Sequence, residues 1–227
     1  MARDAAGRSE RRTGRRALTR ERIVRAAITI IERDGAQALS MRKVAAELDV
    51  GVMSLYNHVP HRDALIEGVA QTVLAGLDVP EDQANPAQDW KLNARAMMAA
   101  FRATAQRYPR SMHLALTSRI DLESAMRPAE RALMLLDAAG FDGETSVRAL
   151  RALMAYAIGS YMMECGALKT PDQFPDAATR IPQADPDRFP YMSALAQELL
   201  RPDPEADFEC GLEMLLSALD RLPRTQC

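Results

Sequence analysis

Aromatic residues make up only 5 % of this 227-residue chain. That scarcity, with Ala, Leu and Met plentiful, favours helices over a sandwich or barrel. Cysteine is nearly missing. Cys165, Cys210 and Cys227 are odd in number and far apart, with no C-x-x-C spacing, which argues against a disulfide or metal site. They are expected to be buried or incidental thiols. No apolar run approaches the roughly 20 residues that span a bilayer. The N-terminus carries no signal-type apolar stretch, so a cytoplasmic chain with no membrane partner is expected. There is no nucleophile elbow, P-loop or H-E-x-x-H, and no pair of metal ligands stands at a binding spacing. His58 and His61 lie across Pro60 with no further ligand nearby. Neither an enzyme nor a metal or cofactor protein is expected.

What the chain does have is apolar mass and an uneven charge. Hydrophobic residues reach 48 %, enough for a sizeable core. The formal net charge of −2 conceals two halves. Residues 1–65 carry 13 Lys and Arg against 8 Asp and Glu, a net of +5, and the remainder carries a net of −7. A basic head for nucleic acid on an acidic body accounts for this, although ordinary surface solvation would look similar. Residues 1–18 hold six arginines without apolar periodicity, which predicts a disordered basic arm. Such an arm either touches DNA or merely solubilises the chain.

The spacing predicts helices over 20–34, 41–48, 52–58 and 62–77. Further helices are predicted over 88–108, 111–119, 122–139 and 145–166, then a short one over 191–200 and a last one over 204–222. Pro128 means that the seventh helix either starts there or is kinked. Five prolines in 170–190 predict a long surface loop. The eighth and last helices are apolar on more than one face, as helices buried on both sides are.

Residues 40–63, SMRKVAAELDVGVMSLYNHVPHRD, read as two short helices joined by a tight turn. Val44, Leu48, Val50 and Leu55 supply apolar positions, and Ala45 is small where two backbones approach. Asp49 stands at the turn, where a left-handed backbone is usual and Asp is among the few residues besides Gly that tolerate it. This is helix-turn-helix spacing, in which the second helix enters the DNA major groove. Ser54, Tyr56, His58 and Arg62 are donors suited to phosphate oxygens. Ser40 caps the first of the two helices. Arg42 is long enough to reach a base edge, while Val52 and Met53 offer apolar contact, for example to a thymine methyl group.

The run from Leu18 to Val69, with LYNHV followed by Arg62, Asp63 and Leu65, resembles the DNA-binding head of TetR-family regulators. The body resembles the tetracycline-repressor branch in its Asp89–Trp90 pair, its Gly140–Phe141 pair, IGSYMMECG and FECGLEMLLSALDRL. The likeness implies an all-α fold: a three-helix DNA-binding head over 19–65 and a ligand-binding and dimerisation body over 66–227. It also implies a homodimer through helices 8 and 10, the last of the predicted series, that binds an inverted-repeat, double-stranded operator as a ligand-responsive repressor. Activation from the same DNA-binding mode is the alternative, because the sign depends on operator position. A small-molecule inducer pocket is implied in the body, with Met97, Phe101, His113, Leu116, Met134, Tyr156 and Met163 as lining candidates. The positions that match metal-tetracycline contacts read Asp78, Met97, Phe101, Ala115, Ser118 and Met163, and only Phe101 keeps its type. Magnesium-tetracycline is therefore not the expected inducer.

Overall fold

The computed structural model describes residues 17–77, 89–118, 122–165, 185–201 and 203–224. The basic arm up to residue 16, Asp78, Cys227 and most of the proline-rich stretch lie outside them. The described residues form helices and no strand. Helix α1, Arg20–Asp34, begins where extended Thr19 accepts the Arg22 N–H on its hydroxyl at 3.2 Å. It ends at Gly35, whose φ of +88° only glycine adopts freely. Its stripe of Ile23, Ala27, Ile30 and Ile31 is fully buried. Helix α2 is Met41–Glu47, capped by Ser40, and α3 is Val52–Tyr56. Between them Asp49 sits at φ +51°, the left-handed turn the spacing predicts. Helix α4 is Arg62–Leu74, and His61 caps it by accepting the Ala64 N–H on Nδ1 at 3.0 Å.

The remaining helices are α5 (Trp90–Arg107), α6 (Pro109–Thr117), α7 (Leu122–Ala138), α8 (Gly143–Glu164), α9 (Pro190–Ala194), α10 (Ala196–Leu199) and α11 (Pro204–Asp220). Three details depart from the sequence reading or decide it. Helix α7 runs through Pro128 rather than starting there. The short helix predicted over 191–200 is two helices, broken at Leu195, where φ −103° and ψ 15° leave the helical range. The last predicted helix is accordingly α11. Cys165 and Cys210 are exposed, not buried, thiols.

The chain divides into two compact units, one holding Met1–Val73 and Arg110–Asp121, the other Leu74–Pro109 and Leu122–Cys227. In the first, Leu55, Val59, Leu65 and Val69 join the α1 stripe in the core at no more than 1 % exposure. Fully burying one such side chain is worth about 1.5–3 kcal/mol. Helices α1 and α6 cap each other. The Glu32 carboxylate accepts the Arg110 and Ser111 N–H groups at 3.2 and 2.8 Å, at the N-terminal end of α6 where a negative charge is favoured. In return Arg110 Nη1 donates to the Glu32 and Arg33 carbonyls at 3.1 and 3.0 Å, two of the acceptors that the end of α1 leaves open.

The second unit packs α5, α7, α8 and α11 around Trp90, Met98, Leu136, Phe141, Leu153, Phe208 and Leu212. Trp90 meets Phe141 edge-on, with ring centroids 5.2 Å apart. Asp220 gathers three donors at the end of α11: Trp90 Nε1 at 3.0 Å, Lys91 Nζ at 2.7 Å and Arg224 Nη2 at 2.7 Å. Helices α8 and α11 approach closely at Gly211. A Cβ there would overlap the Tyr156 hydroxyl, which itself donates to the Phe208 carbonyl at 2.7 Å.

Candidate functional site

Helix α3 is one and a half turns long and makes only a small contribution to its own stability. Tertiary contacts fix it. Leu55 is completely buried and Val59, just beyond the helix, is 1 % exposed, so the helix is pinned from one side. The opposite side is open. Met53 is 75 % and Tyr56 43 % exposed, Ser54 and His58 are exposed, and Val52 is half-buried.

The neighbouring charges are sorted. Lys43 Nζ lies 2.8 Å from Asp34 and holds that carboxyl below the usual carboxylate range. Arg33 pairs with Glu47 at 3.0 Å and with Asp34 at 3.1 Å, which pushes its own pKa up. Arg42, exposed on α2, makes no ion pair with any described residue. Its guanidinium is uncommitted among the described residues. Ser40 is exposed, and its oxygen accepts the Lys43 N–H at 3.2 Å, which leaves the hydroxyl hydrogen available. Arg62 is tied back to the segment between α1 and α2, with Nε donating to the Leu39 carbonyl at 3.2 Å and Nη2 to the Ala36 carbonyl at 3.5 Å. Among the described residues this surface presents hydroxyls, the His58 imidazole and the Arg42 guanidinium around an apolar tip. It suits a polyanion whose groove offers methyl groups.

The second unit holds a cavity of about 160 Å³ between α5, α8 and the start of α11. Its walls include Phe101, Ala105, Pro109, Ala157, Tyr161 and Phe208. Tyr161 closes one end by donating its hydroxyl to the Pro109 carbonyl at 2.5 Å. A charged residue also lines it. Arg102 is 9 % exposed and lies within 3.2 Å of both Glu164 and Glu205.

Of the seven residues expected to surround a ligand, Phe101 lines this cavity. Tyr156 packs beside it against Phe208, with ring centroids 5.5 Å apart. Met97 packs with Leu135 instead, and Met134 and Met163 are 52 % and 59 % exposed. His113 is exposed and Leu116 half-buried on α6, in the first unit. Arg102 escaped the sequence reading. Its partners stand 62 and 103 residues away, so no local spacing announces them.

Comparison with known proteins fits this arrangement. Residues 23–69 match the model described as bacterial regulatory proteins, tetR family. Residues 82–222 match the tetracyclin repressor-like C-terminal domain. The transcriptional repressor DrrR1 of Streptomyces coeruleorubidus is 28 % identical over 225 residues, covering 95 % of this chain and 82 % of that protein. The class G tetracycline repressor of Vibrio anguillarum is 27 % identical, covering 88 % and 92 %. Among solved structures, Streptomyces coelicolor ActR in complex with actinorhodin superposes with a TM-score of 0.72 at 28 % identity, covering 90 % of this chain and 97 % of ActR. With both of its domains matched, the chain belongs to the TetR family of bacterial transcriptional regulators.

Proposed function

We propose that the protein is a homodimeric repressor that binds an inverted-repeat operator and is released by a small-molecule inducer other than magnesium-tetracycline. The observation that carries this reading is α3, anchored by buried Leu55 while Met53, Ser54, Tyr56 and His58 all face water. In this reading Ser40, Ser54, Tyr56 and His58 position the head on phosphates, together with the Arg62 N–H groups not bound to carbonyls. Arg42, Val52 and Met53 read base edges. The cavity beside Arg102 is where an inducer acts, as the complex of the related ActR with actinorhodin suggests by analogy. The inducer moves the equilibrium between binding and non-binding forms only as far as its affinities for them differ. Ala115, buried and apolar, offers no metal ligand at the position matching the histidine of tetracycline repressors.

The test starts from footprinting on DNA beside the protein's own gene. In gel-shift titrations on the protected sequence, Tyr56→Phe with His58→Ala is expected to weaken binding roughly tenfold, and equally on variant operators. Two lost hydrogen bonds of about 0.5–1.5 kcal/mol each have that effect. Unchanged affinity removes α3 from the interface.

A further inference from the structure

The cavity pairs an apolar body with one buried cation, and that cation is incompletely satisfied. Arg102 is 9 % exposed, yet its Nε and Nη1 have no hydrogen-bond acceptor. Glu164, whose side chain is 24 % exposed, holds one edge of the guanidinium at 3.2 Å. Glu205 stands equally close, 3.2 Å from Nη1, likewise as an ion pair, and differs in that its side chain is 76 % exposed. A buried guanidinium with open N–H groups demands an acceptor. An ion pair to so exposed a carboxylate is weak, and Glu205 returns to water at little cost.

We infer that the ligand is an aromatic carboxylic acid whose carboxylate replaces Glu205 on Arg102 while its ring fills the apolar cavity. The exchange sets one carboxylate in place of another, so the charge around the guanidinium does not change. A carboxylate fits the planar donor fork of arginine in a bidentate way that the present Glu205 contact does not achieve. Phe101 and Phe208 supply aromatic walls, and the Arg102 guanidinium already stands 4.8 Å from the Phe208 ring centroid. A cavity of about 160 Å³ is the size that encloses a single aromatic ring. A cationic ligand drawn to the two glutamates fits less well. It would leave the open N–H groups of Arg102 unanswered and place a second positive charge beside them. The inference rests on the reading of this cavity as the inducer site.

The test uses the full-length protein with benzoate, phenylacetate and the matching neutral amides. Binding is followed by calorimetry, and operator release by fluorescence anisotropy. The acids are expected to bind at least about tenfold more tightly than their amides, a difference of one 1.4 kcal/mol step. Arg102→Gln is expected to remove that preference. Because Arg102 also joins α5 to α8 and α11, a second variant guards against misfolding. Glu205→Gln, at an exposed position, removes the competing carboxylate and is expected to tighten acid binding several-fold with no effect on the amides. A purely structural Arg102 moves neither value. Equal binding of acid and amide, or a Glu205→Gln chain that binds acids no better, overturns the inference and leaves the cavity as a site for neutral ligands. Failure of every probe to bind overturns the cavity as an inducer site as well.

Discussion

Arg42 is the residue on which sequence preference is expected to turn. Its neighbours Arg33 and Lys43 are committed to Asp34 and Glu47, whereas Arg42 stands exposed with no described ion-pair partner. A bidentate arginine–guanine contact contributes about 1–3 kcal/mol of discrimination. Arg42→Ala should therefore flatten the preference at one position of each half-site and spare the others. A binding profile over all single-base operator variants reads this directly, and an unaltered profile rejects Arg42 as the reader. Gly211 yields a second expectation. A methyl group there meets the Tyr156 ring, with Cζ 2.8 Å from the added carbon, so Tyr156 must move and lose its bond to the Phe208 carbonyl. Gly211→Ala should lower stability by about 1–3 kcal/mol, the usual cost of overpacking, measured by thermal melting. Residues governed by local rules were legible in the sequence. Helix α1 keeps the bounds 20–34 that the spacing predicts, between the local caps Thr19 and Gly35, and Asp49 takes its positive φ because the turn between α2 and α3 requires one. Arg102 was not legible, since a buried arginine looks like a surface one until the helices carrying Glu164 and Glu205 fold against it.

At the scale of elements, the end of α11 is tied to the start of α5 through Asp220. The Lys91 ammonium first, then the Trp90 indole N–H, holds the Asp220 carboxyl below the usual aspartate range. A carboxylate favoured in the fold contributes stability that is complete above its unfolded-state pKa of about 3.9 and is lost as pH falls through the lowered folded value. Asp220→Asn should therefore melt below the parent chain at neutral pH, with the gap closing as the pH drops through that acidic window. A gap that does not change with pH rejects the ionic origin. The elements most legible in the sequence are those with an apolar stripe between two caps, such as α1. The break at Leu195 was not legible. The segment over 191–200 has few core contacts to hold one helix together, with Tyr191, Leu195 and Leu199 exposed and Ala196 buried, so apolar content alone misled there. Met97, Met134 and Met163 follow helical spacing and lie outside the walls of the Arg102 cavity, a placement that spacing alone does not specify.

For the whole molecule, the length of α3 sets the requirement. A helix of five residues reaches few base pairs, whereas specific operators are typically bound about 10³–10⁷ times more tightly than random DNA. Two heads on an inverted repeat meet that requirement, with half-sites about one helical turn, roughly 34 Å, apart or a multiple of it. In the proposed dimer the body holds two copies together, and its surface offers the means. Met154 on α8 is 48 % exposed and Met214 on α11 is 67 % exposed, with Cys210 and Leu222 also open to water. Large apolar side chains on helices whose other faces already pack the core are the material of a stable interface, which buries about 800 Å² per partner. Met214→Glu places a charge where the proposed partner would bury it. Two such charges facing each other across a two-fold axis should shift the protein to monomers in sedimentation experiments. Because Met214 makes little use of its own core, the helical circular dichroism should be unchanged. Operator affinity should fall by at least about a hundredfold, since the loss of one head forfeits several kcal/mol of paired contacts. Binding to random DNA, carried by phosphates alone, should fall far less and keep its salt dependence. A variant that remains dimeric and binds the operator normally would place the interface elsewhere than on α8 and α11.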